Sequence, residues 1–285
     1  MRILHISTRL ILGGSQENTV LSCIGQARLG HEVHLAFGPI YGPEGSLLAR
    51  VETFNAQVRM GAEGVCEVGS LAPAAGARMH EITTHVVPSM LRQVSPLNDW
   101  RAMRELEALV RAIDPDVVHT HSSKAGVLGR GAAWRVKAGA LAMSRPRVVH
   151  TIHGPPFMPV EGGLIARAKT RLMNYGYTVA EQWAAKRCNS IVSVADAMTR
   201  EFLRRGIGRP SQYTTVRSGM EVDTFLTPKA GQEREAVRGR LGFAAHDFVI
   251  GTVARLTEHK GHDDMLAALA DDLKRRPEWR LLWVG

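Results

Sequence analysis

Two cations near the end of the chain and a group of histidines in its middle are the residues whose types and spacing suit chemistry. Arg255 and Lys260 stand in the stretch Gly251-Thr-Val-Ala-Arg-Leu-Thr-Glu-His-Lys-Gly261, between an apolar run over 247–254 and a segment over 263–270 that opens with two aspartates. The apolar run reads as a buried strand and the following segment as a helix with acidic residues in its first turn. In an open α/β sheet the turn after a strand lies in the crevice beyond the strands' carboxyl ends, where ligands bind. Arginine grips phosphate through paired N–H groups and lysine acts as a point charge, so the two together suit a diphosphate. The alternative is two cations on a solvated turn.

The histidines lie on two strand-like segments. Asp114-Pro-Asp-Val-Val-His-Thr-His-Ser-Ser-Lys-Ala-Gly126 delivers polar residues at the end of a strand and then begins a helix. Strand alternation puts His119 and His121 on one face and Thr120 on the other. Arg147-Val-Val-His-Thr-Ile-His153 repeats the design. His119 and His121 together with His150 and His153 would make a metal site. No carboxylate or cysteine accompanies them at ligand spacing, and buried histidines commonly satisfy hydrogen bonds within a core, so no metal is expected. Gly13-Gly14, between the first strand and first helix, lets a phosphate approach a helix N-terminus or simply makes a tight turn.

The elements that must position these residues follow from periodicity. A strand over 2–7, a helix over 15–29 closed by Gly30 and a strand over 31–37 form a βαβ unit of the doubly wound kind. A helical stretch near 46–54 follows, and residues 61–77, rich in Gly and Ala without periodicity, read as an insertion or mobile loop. A strand over 83–87, a loop over 88–97 and a helix over 98–113 lead into the histidine segments. Residues 164–186 form a long amphipathic stretch in which Arg167, Lys169 and Arg171 stand among Leu164, Ile165, Leu172, Met173 and Tyr175. Basic residues beside large apolar ones suit an anionic membrane surface, although a helix packed by one face gives the same pattern. Short strands over 190–194 and 213–217 close the first sheet.

Composition sets the class. A chain of 285 residues, 45% apolar and 22% charged, is long enough for one large domain or two and can bury a core. Its net charge of +9 calls for an anionic partner, and with no nucleic-acid-binding motif that partner is expected to be phosphorylated substrate or membrane surface. Cys23, Cys66 and Cys188 are far apart and odd in number, which argues against disulfides or zinc. The amino-terminal stretch is too polar for a signal peptide, no apolar run would span a membrane, and the cytoplasm is the expected address.

The turn Arg255-Leu-x-x-x-Lys260-Gly261, the opening strand with Gly13-Gly14, Glu17 and Gly30-His31-Glu-Val-His, and the segments His121-Ser-Ser-Lys-Ala-Gly126 and His150-Thr-Ile-His153-Gly together resemble family 4 of the retaining GT-B-fold glycosyltransferases. The resemblance implies an α/β chain of GT-B type, with two Rossmann-like doubly wound domains of which the second is incomplete. The first covers 1–217, a hinge 218–228, and the second 229–285. It implies transfer of a sugar from a nucleotide diphosphate sugar to a sugar or lipid-linked glycan acceptor in cell-surface polysaccharide synthesis. The donor diphosphate is expected on Gly13, Gly14, Arg255 and Lys260, and the acceptor near His121, Ser122, Ser123 and Lys124. His153 is expected at the donor sugar, giving a hydrogen bond to a hydroxyl, with no metal and no other cofactor. The enzyme is expected in the cytoplasm, peripheral on the inner face of its membrane, with no nucleic-acid partner.

Two features depart from the family pattern. Arg217-Ser-Gly-Met220 replaces the more usual Pro-Asn-Gly-Val of the hinge, and Glu44 and Glu52 reproduce the family's E-x7-E spacing in the wrong domain, so they read as a decoy. Because the family's E-x7-E lies downstream of the Arg-Lys turn, the chain is expected to be truncated, with a frayed carboxyl-terminal region and incomplete transferase activity. The alternatives are a GT-B-fold nucleotide-sugar epimerase and a non-catalytic half-protein that binds carbohydrate or membrane.

Overall fold

The computed structural model describes residues 1–40, 45–61, 78–139, 146–254, 256 and 260–285. Residues 62–77 of the expected insertion, Glu44 of the decoy pair, Cys66 and Arg255 lie outside the described residues. The chain forms two compact units, Met1–Met220 and Glu221–Gly285.

The first unit is built on a seven-stranded parallel sheet. Its strands are β1 (Arg2–Ser7), β2 (Glu32–Phe37), β3 (Ile82–Val86), β4 (Val117–His121), β5 (Arg147–Ile152), β6 (Ser190–Ser193) and β7 (Tyr213–Thr215), in the order β3-β2-β1-β4-β5-β6-β7. The chain starts at the centre, works outward through β2 and β3, and returns beside β1 to lay down the other four. The order therefore reverses between β1 and β4, and such a switch point opens a crevice at the carboxyl ends of the strands.

A parallel sheet buries both faces, and two sets of helices cover this one. On one face α1 (Gly14–Arg28) and α2 (Leu48–Arg59) bring Val20, Cys23, Ile24, Val51 and Phe54 against Val33, Leu35 and Phe37. On the other, α3 (Pro96–Ile113), α4 (Ser123–Ala138), α5 (Leu164–Ala185) and α6 (Asp196–Arg204) bury Leu106, Val110, Ala132, Ala185 and Phe202 against Leu4, Ile6, Val118 and Val148. A 3₁₀ turn at Pro210–Gln212 precedes β7.

Helix α4 sits unusually close to the sheet because its inner face is made of small residues, Ala125, Gly126, Gly129, Ala132 and Ala133. A Cβ on Gly129 would stand 2.7 Å from Thr120 Cγ2 and 3.1 Å from Ile6 Cδ1. One large residue interrupts this face. Arg130 is fully buried, donates from Nε to the Gly126 carbonyl at 2.8 Å, and reaches Glu181 Oε2 of α5 at 2.6 Å. Removing one partner of such a pair strands a buried charge, at a cost of about 3–5 kcal/mol.

The second unit contains α7 (Asp223–Leu226), α8 (Arg234–Arg240), β8 (Phe248–Val253), α9 (His262–Arg275) and β9 (Trp279–Val284), with β8 and β9 paired in parallel. Among its described residues only Asp247 and His262 are buried. The strand and helix expected on either side of the Arg-Lys turn are both present. The stretch 218–228, expected as a plain linker, carries the short α7, and the division between units falls after Met220.

The glycines of two helices make a matched test of this packing. Gly129→Ala should destabilise the first unit by about 1–3 kcal/mol in denaturant unfolding, since β-carbon insertion into a filled contact forces its neighbours apart. Gly25→Ala in α1 meets nothing within 4 Å. It should leave stability unchanged or raise it by up to ~1 kcal/mol through helix propensity.

Candidate functional site at the switch point

The carboxyl ends of β1, β4 and β5 are neighbours in the sheet, so the segments that follow them converge. Gly13 caps α1 and accepts the Glu17 N–H at 2.9 Å. Its backbone is extended and a Cβ there would stand 2.8 Å from Gln16 Oε1, the movable end of a side chain, while a Cβ on Gly14 would meet nothing within 4 Å. The two glycines add no side chain of their own at the N-terminus of α1, where backbone N–H groups favour an anion.

After β4, Ser122 is held at φ 62° and ψ 158°, a region populated almost only by glycine and costing another residue about 1–3 kcal/mol. Its hydroxyl does not cap α4. It bonds Thr8 Oγ1 at 2.9 Å, and Thr8 Oγ1 also accepts the Ala125 N–H at 3.2 Å. Thr8, which spacing alone did not single out, thus ties the β1 end to the start of α4 and holds the strained turn in place.

Lys124 is drawn inward. Its Nζ pairs with Asp99 Oδ1 at 2.5 Å and donates to the Gln93 carbonyl, fastening the segment after β3 to α4. Ser123 and Lys124 line a cavity of about 640 Å³ whose walls include Val94, Leu128, Tyr177 and Glu181. Glu181 Oε1 has no hydrogen-bond partner there, while Oε2 holds Arg130. His153 is not among the residues lining this cavity.

The histidines form a different group from the one expected. His150 points to the opposite face, where Nδ1 lies 2.9 Å from Thr120 Oγ1, so it does not join His119 and His121. Their partner is His5, which is in register with His119 across β1 and β4. The side-chain nitrogens of His5, His119 and His121 lie within 4.8 Å of one another. These atoms are already engaged: His5 Nδ1 is 2.9 Å from His121 Nε2, His5 Nε2 is 2.7 Å from Gln26 Oε1, and His119 Nε2 is 2.7 Å from Thr151 Oγ1. His121 Nδ1 in turn lies 3.0 Å from His153 Nε2. His121 is only 1% exposed.

Burial keeps these rings neutral. Desolvation lowers His5 and His153 each to about 4, and holds His119 and His121 well below the usual imidazole range, with neighbouring imidazoles adding to the effect. His150 is lowered by burial first and then by the Arg130 charge. Burial also raises the Cys188 thiol to about 11 and the Cys23 thiol further, so neither is a ready nucleophile. In the second unit Lys260 is exposed, one residue before Gly261, whose φ of 70° opens α9. Among the described residues no helix is long and apolar enough to cross a membrane.

A doubly wound parallel sheet with polar residues gathered at its switch point is the fold of a Rossmann-like half of a GT-B-type protein. The chain belongs to Glycosyltransferase Family 4, whose family model matches residues 12–224. It is 29% identical over 175 residues to the Escherichia coli UDP-Gal:alpha-D-GlcNAc-diphosphoundecaprenol alpha-1,3-galactosyltransferase, covering 61% of this chain and 41% of that protein. All of it superposes on Anabaena HepE in complex with UDP and glucose, with a TM-score of 0.63 at 17% identity, over 61% of HepE. UDP-N-acetylglucosamine 2-epimerase from Rickettsia bellii shares the fold with a TM-score of 0.51 at 12% identity, over 99% of this chain and 61% of that one. The chain thus spans less than two thirds of the length of each of these relatives.

The neutral rings give stability a defined pH dependence. His5 and His153 bind protons less readily when folded than the ordinary imidazole at 6.5. The unfolded chain therefore takes up more protons as pH falls from about 6.5 to about 4, and folded stability, complete above that window, declines through it. Each such histidine contributes a slope on the order of 1.4 kcal/mol per pH unit. Denaturant unfolding at pH 7, 6 and 5 should show this decline, and a flat profile would mean that the folded rings take up protons as readily as the unfolded chain does.

Proposed function

We propose that this chain is part of a retaining glycosyltransferase that moves a sugar from a nucleotide diphosphate sugar to a sugar or lipid-linked glycan acceptor, in cell-surface polysaccharide synthesis. The observation that carries the reading is the constellation at the switch point, where Thr8 holds Ser122 in a strained turn beside the bare start of α1 and a neutral His153. Strain of this kind persists where the surrounding structure over-determines it, and it concentrates at ligand sites. The E. coli galactosyltransferase acts, by its name, from UDP-Gal on a diphosphoundecaprenol-linked sugar, and HepE holds UDP and glucose. Both support a nucleotide-sugar donor, and the first supports a lipid-linked acceptor.

In this reading Arg255 and Lys260 of the second unit take the diphosphate, and the N–H groups at Gly13 and Gly14 of the first suit a donor phosphate. Charge grows on the leaving group as the glycosidic bond breaks, so cations placed there stabilise the transition state more than the ground state. They do the work that a metal would otherwise do, so the proposed reaction uses no metal. His153 meets the donor sugar. Ser123 lines the cavity beside α4, which suits the acceptor, while Lys124 acts by anchoring that cavity's wall to Asp99.

Helix α5 gives the acceptor's lipid a place. Asn174, Glu181, Ala184 and Ala185 are its buried residues. Ile165, Leu172, Tyr175 and Val179, spaced three, four and seven apart, form an exposed apolar stripe on the opposite side. Ile165 is 88% and Leu172 72% exposed, and Arg167, Lys169 and Arg171 stand beside them. Such a stripe rimmed by cations suits the inner face of the cytoplasmic membrane.

Two sets of measurements test these assignments. Lys260→Ala should weaken nucleoside diphosphate binding about tenfold, the loss expected for one charged hydrogen bond. His153→Ala should leave that binding intact and lower turnover on the order of 10²-fold. Normal turnover in a folded His153→Ala enzyme sinks its assignment, and conversion of one nucleotide sugar into another without transfer would identify an epimerase. In vesicle sedimentation, binding to anionic vesicles should fall with added salt as the Debye length shortens to ~10 Å at 0.1 M, and disappear on changing Arg167, Lys169 and Arg171 to Gln. Equal binding to neutral and anionic vesicles would rule out the charged stripe as the anchor.

A further inference from the structure

The histidine chain has a direction, and that direction decides what His153 can offer. Three links run in series: Gln26 Oε1 to His5 Nε2 at 2.7 Å, His5 Nδ1 to His121 Nε2 at 2.9 Å, and His121 Nδ1 to His153 Nε2 at 3.0 Å. A neutral imidazole has one N–H and one lone pair, so each ring donates from one nitrogen and accepts at the other. Once one end is fixed, every ring in series is fixed. The amide oxygen of Gln26 accepts, so His5 carries its proton on Nε2 and accepts at Nδ1. His121 then donates from Nε2 and accepts at Nδ1. His153 donates from Nε2, and its Nδ1 is left with a lone pair that bonds no described residue.

We propose that Gln26 is a positioning residue that acts through His5 and His121 to hold His153 in the Nε2–H tautomer, presenting Nδ1 as a hydrogen-bond acceptor. This rests on the reading of His153 as the residue at the donor sugar, and it changes that residue's part. Resemblance suggested a donor to a sugar hydroxyl. The chain instead makes His153 accept from the hydroxyl, which enriches the hydroxyl oxygen in electrons and stabilises positive charge developing on the ring. It also accounts for three features that have no part in the reaction otherwise: a buried histidine in the middle of β1, its register with β4, and a glutamine aimed inward from α1. His119 stands beside the chain, its ring 4.3 Å from that of His121, and bonds Thr151 instead.

The ligand-free protein suffices for the test, so its outcome is independent of the transferase reading. Long-range proton–nitrogen NMR of protein labelled with ¹⁵N-histidine reports which ring nitrogen carries the proton, and the signals missing from His153→Gln identify His153. At neutral pH the parent should show His153 protonated at Nε2 and bare at Nδ1. Gln26 is part-buried at the edge of the cluster, so Gln26→Leu should fold while removing the terminal acceptor. It should shift the His153 tautomer ratio about tenfold toward Nδ1–H, the worth of one hydrogen bond of roughly 1.4 kcal/mol. Gln26→Glu, which keeps an acceptor oxygen, should restore the parent ratio. A parent His153 protonated at Nδ1, or a ratio that does not move in Gln26→Leu, would overturn the proposal. A ratio that moves as expected in an enzyme whose turnover does not change would leave the relay standing and refute the place of His153 at the sugar.

Discussion

Imidazoles buried side by side on the central strands must stay neutral, and a neutral ring out of water needs a partner for both its nitrogens. An unmet buried donor or acceptor costs about 1–3 kcal/mol. In this unit His5, His121 and His153 meet that requirement largely with one another, and Gln26 closes the inner end. Parallel strands usually satisfy burial with Val, Ile and Leu, and the Leu4, Ile6 and Val118 face of the same strands does so. The opposite face accepts polarity because the register of β1 on β4 places His5 beside His119, one step from His121. A slip of one residue would turn these rings onto the apolar side.

The apolar side keeps that register. Helix α4 comes near enough to press Gly129 on Thr120 and Ile6, and Gly126 on His150. Its distance from the sheet is fixed by absent side chains, while its position relative to α5 is fixed by the buried Arg130–Glu181 pair. The same helix begins at Ser122, whose unfavourable backbone angles are held by Thr8. Packing on one face of the sheet therefore sets the geometry of the polar turn at its edge. Strain at Ser122 and close packing at Gly129 belong to one rigid arrangement.

Much of this was legible from the residue order. Alternation and glycine punctuation identify β1, α1, β2, β4 and β5 to within a residue or two, because each is a strongly patterned segment. The second domain's strand and helix are legible for the same reason. The spacing of Glu44 and Glu52 reads as a decoy from position in the chain alone. The site was legible only in part. His121, Ser122 and Lys124 stand out by type, but their orientation depends on tertiary contacts: Lys124 turns to Asp99, Ser122 to Thr8, and His121 inward to His5. His150 stands three residues from His153, an odd separation that puts the two on opposite faces, and its register with Thr120 turns it away from His119 and His121. His5 and Gln26 were missed because they lie more than ninety residues from the histidines they serve, and only the order β1-β4-β5 brings them together.

Helix α5 joins the interior to the surface. Its inner side supplies Glu181 to Arg130 and Asn174 to the backbone of Met158, while its outer side displays the apolar stripe and its cations. Because Glu181 also borders the cavity beside Ser123, one rigid helix fixes the distance between that cavity and the proposed membrane surface. A rise of 1.5 Å per residue carries the stripe over roughly 21 Å from Ile165 to Val179, and leaves its Val179 end roughly 3 Å along the axis from Glu181. The apolar stripe therefore begins beside the cavity and runs away from it, and the packing of the helix's inner side on Arg130 and Met158 holds both on one element.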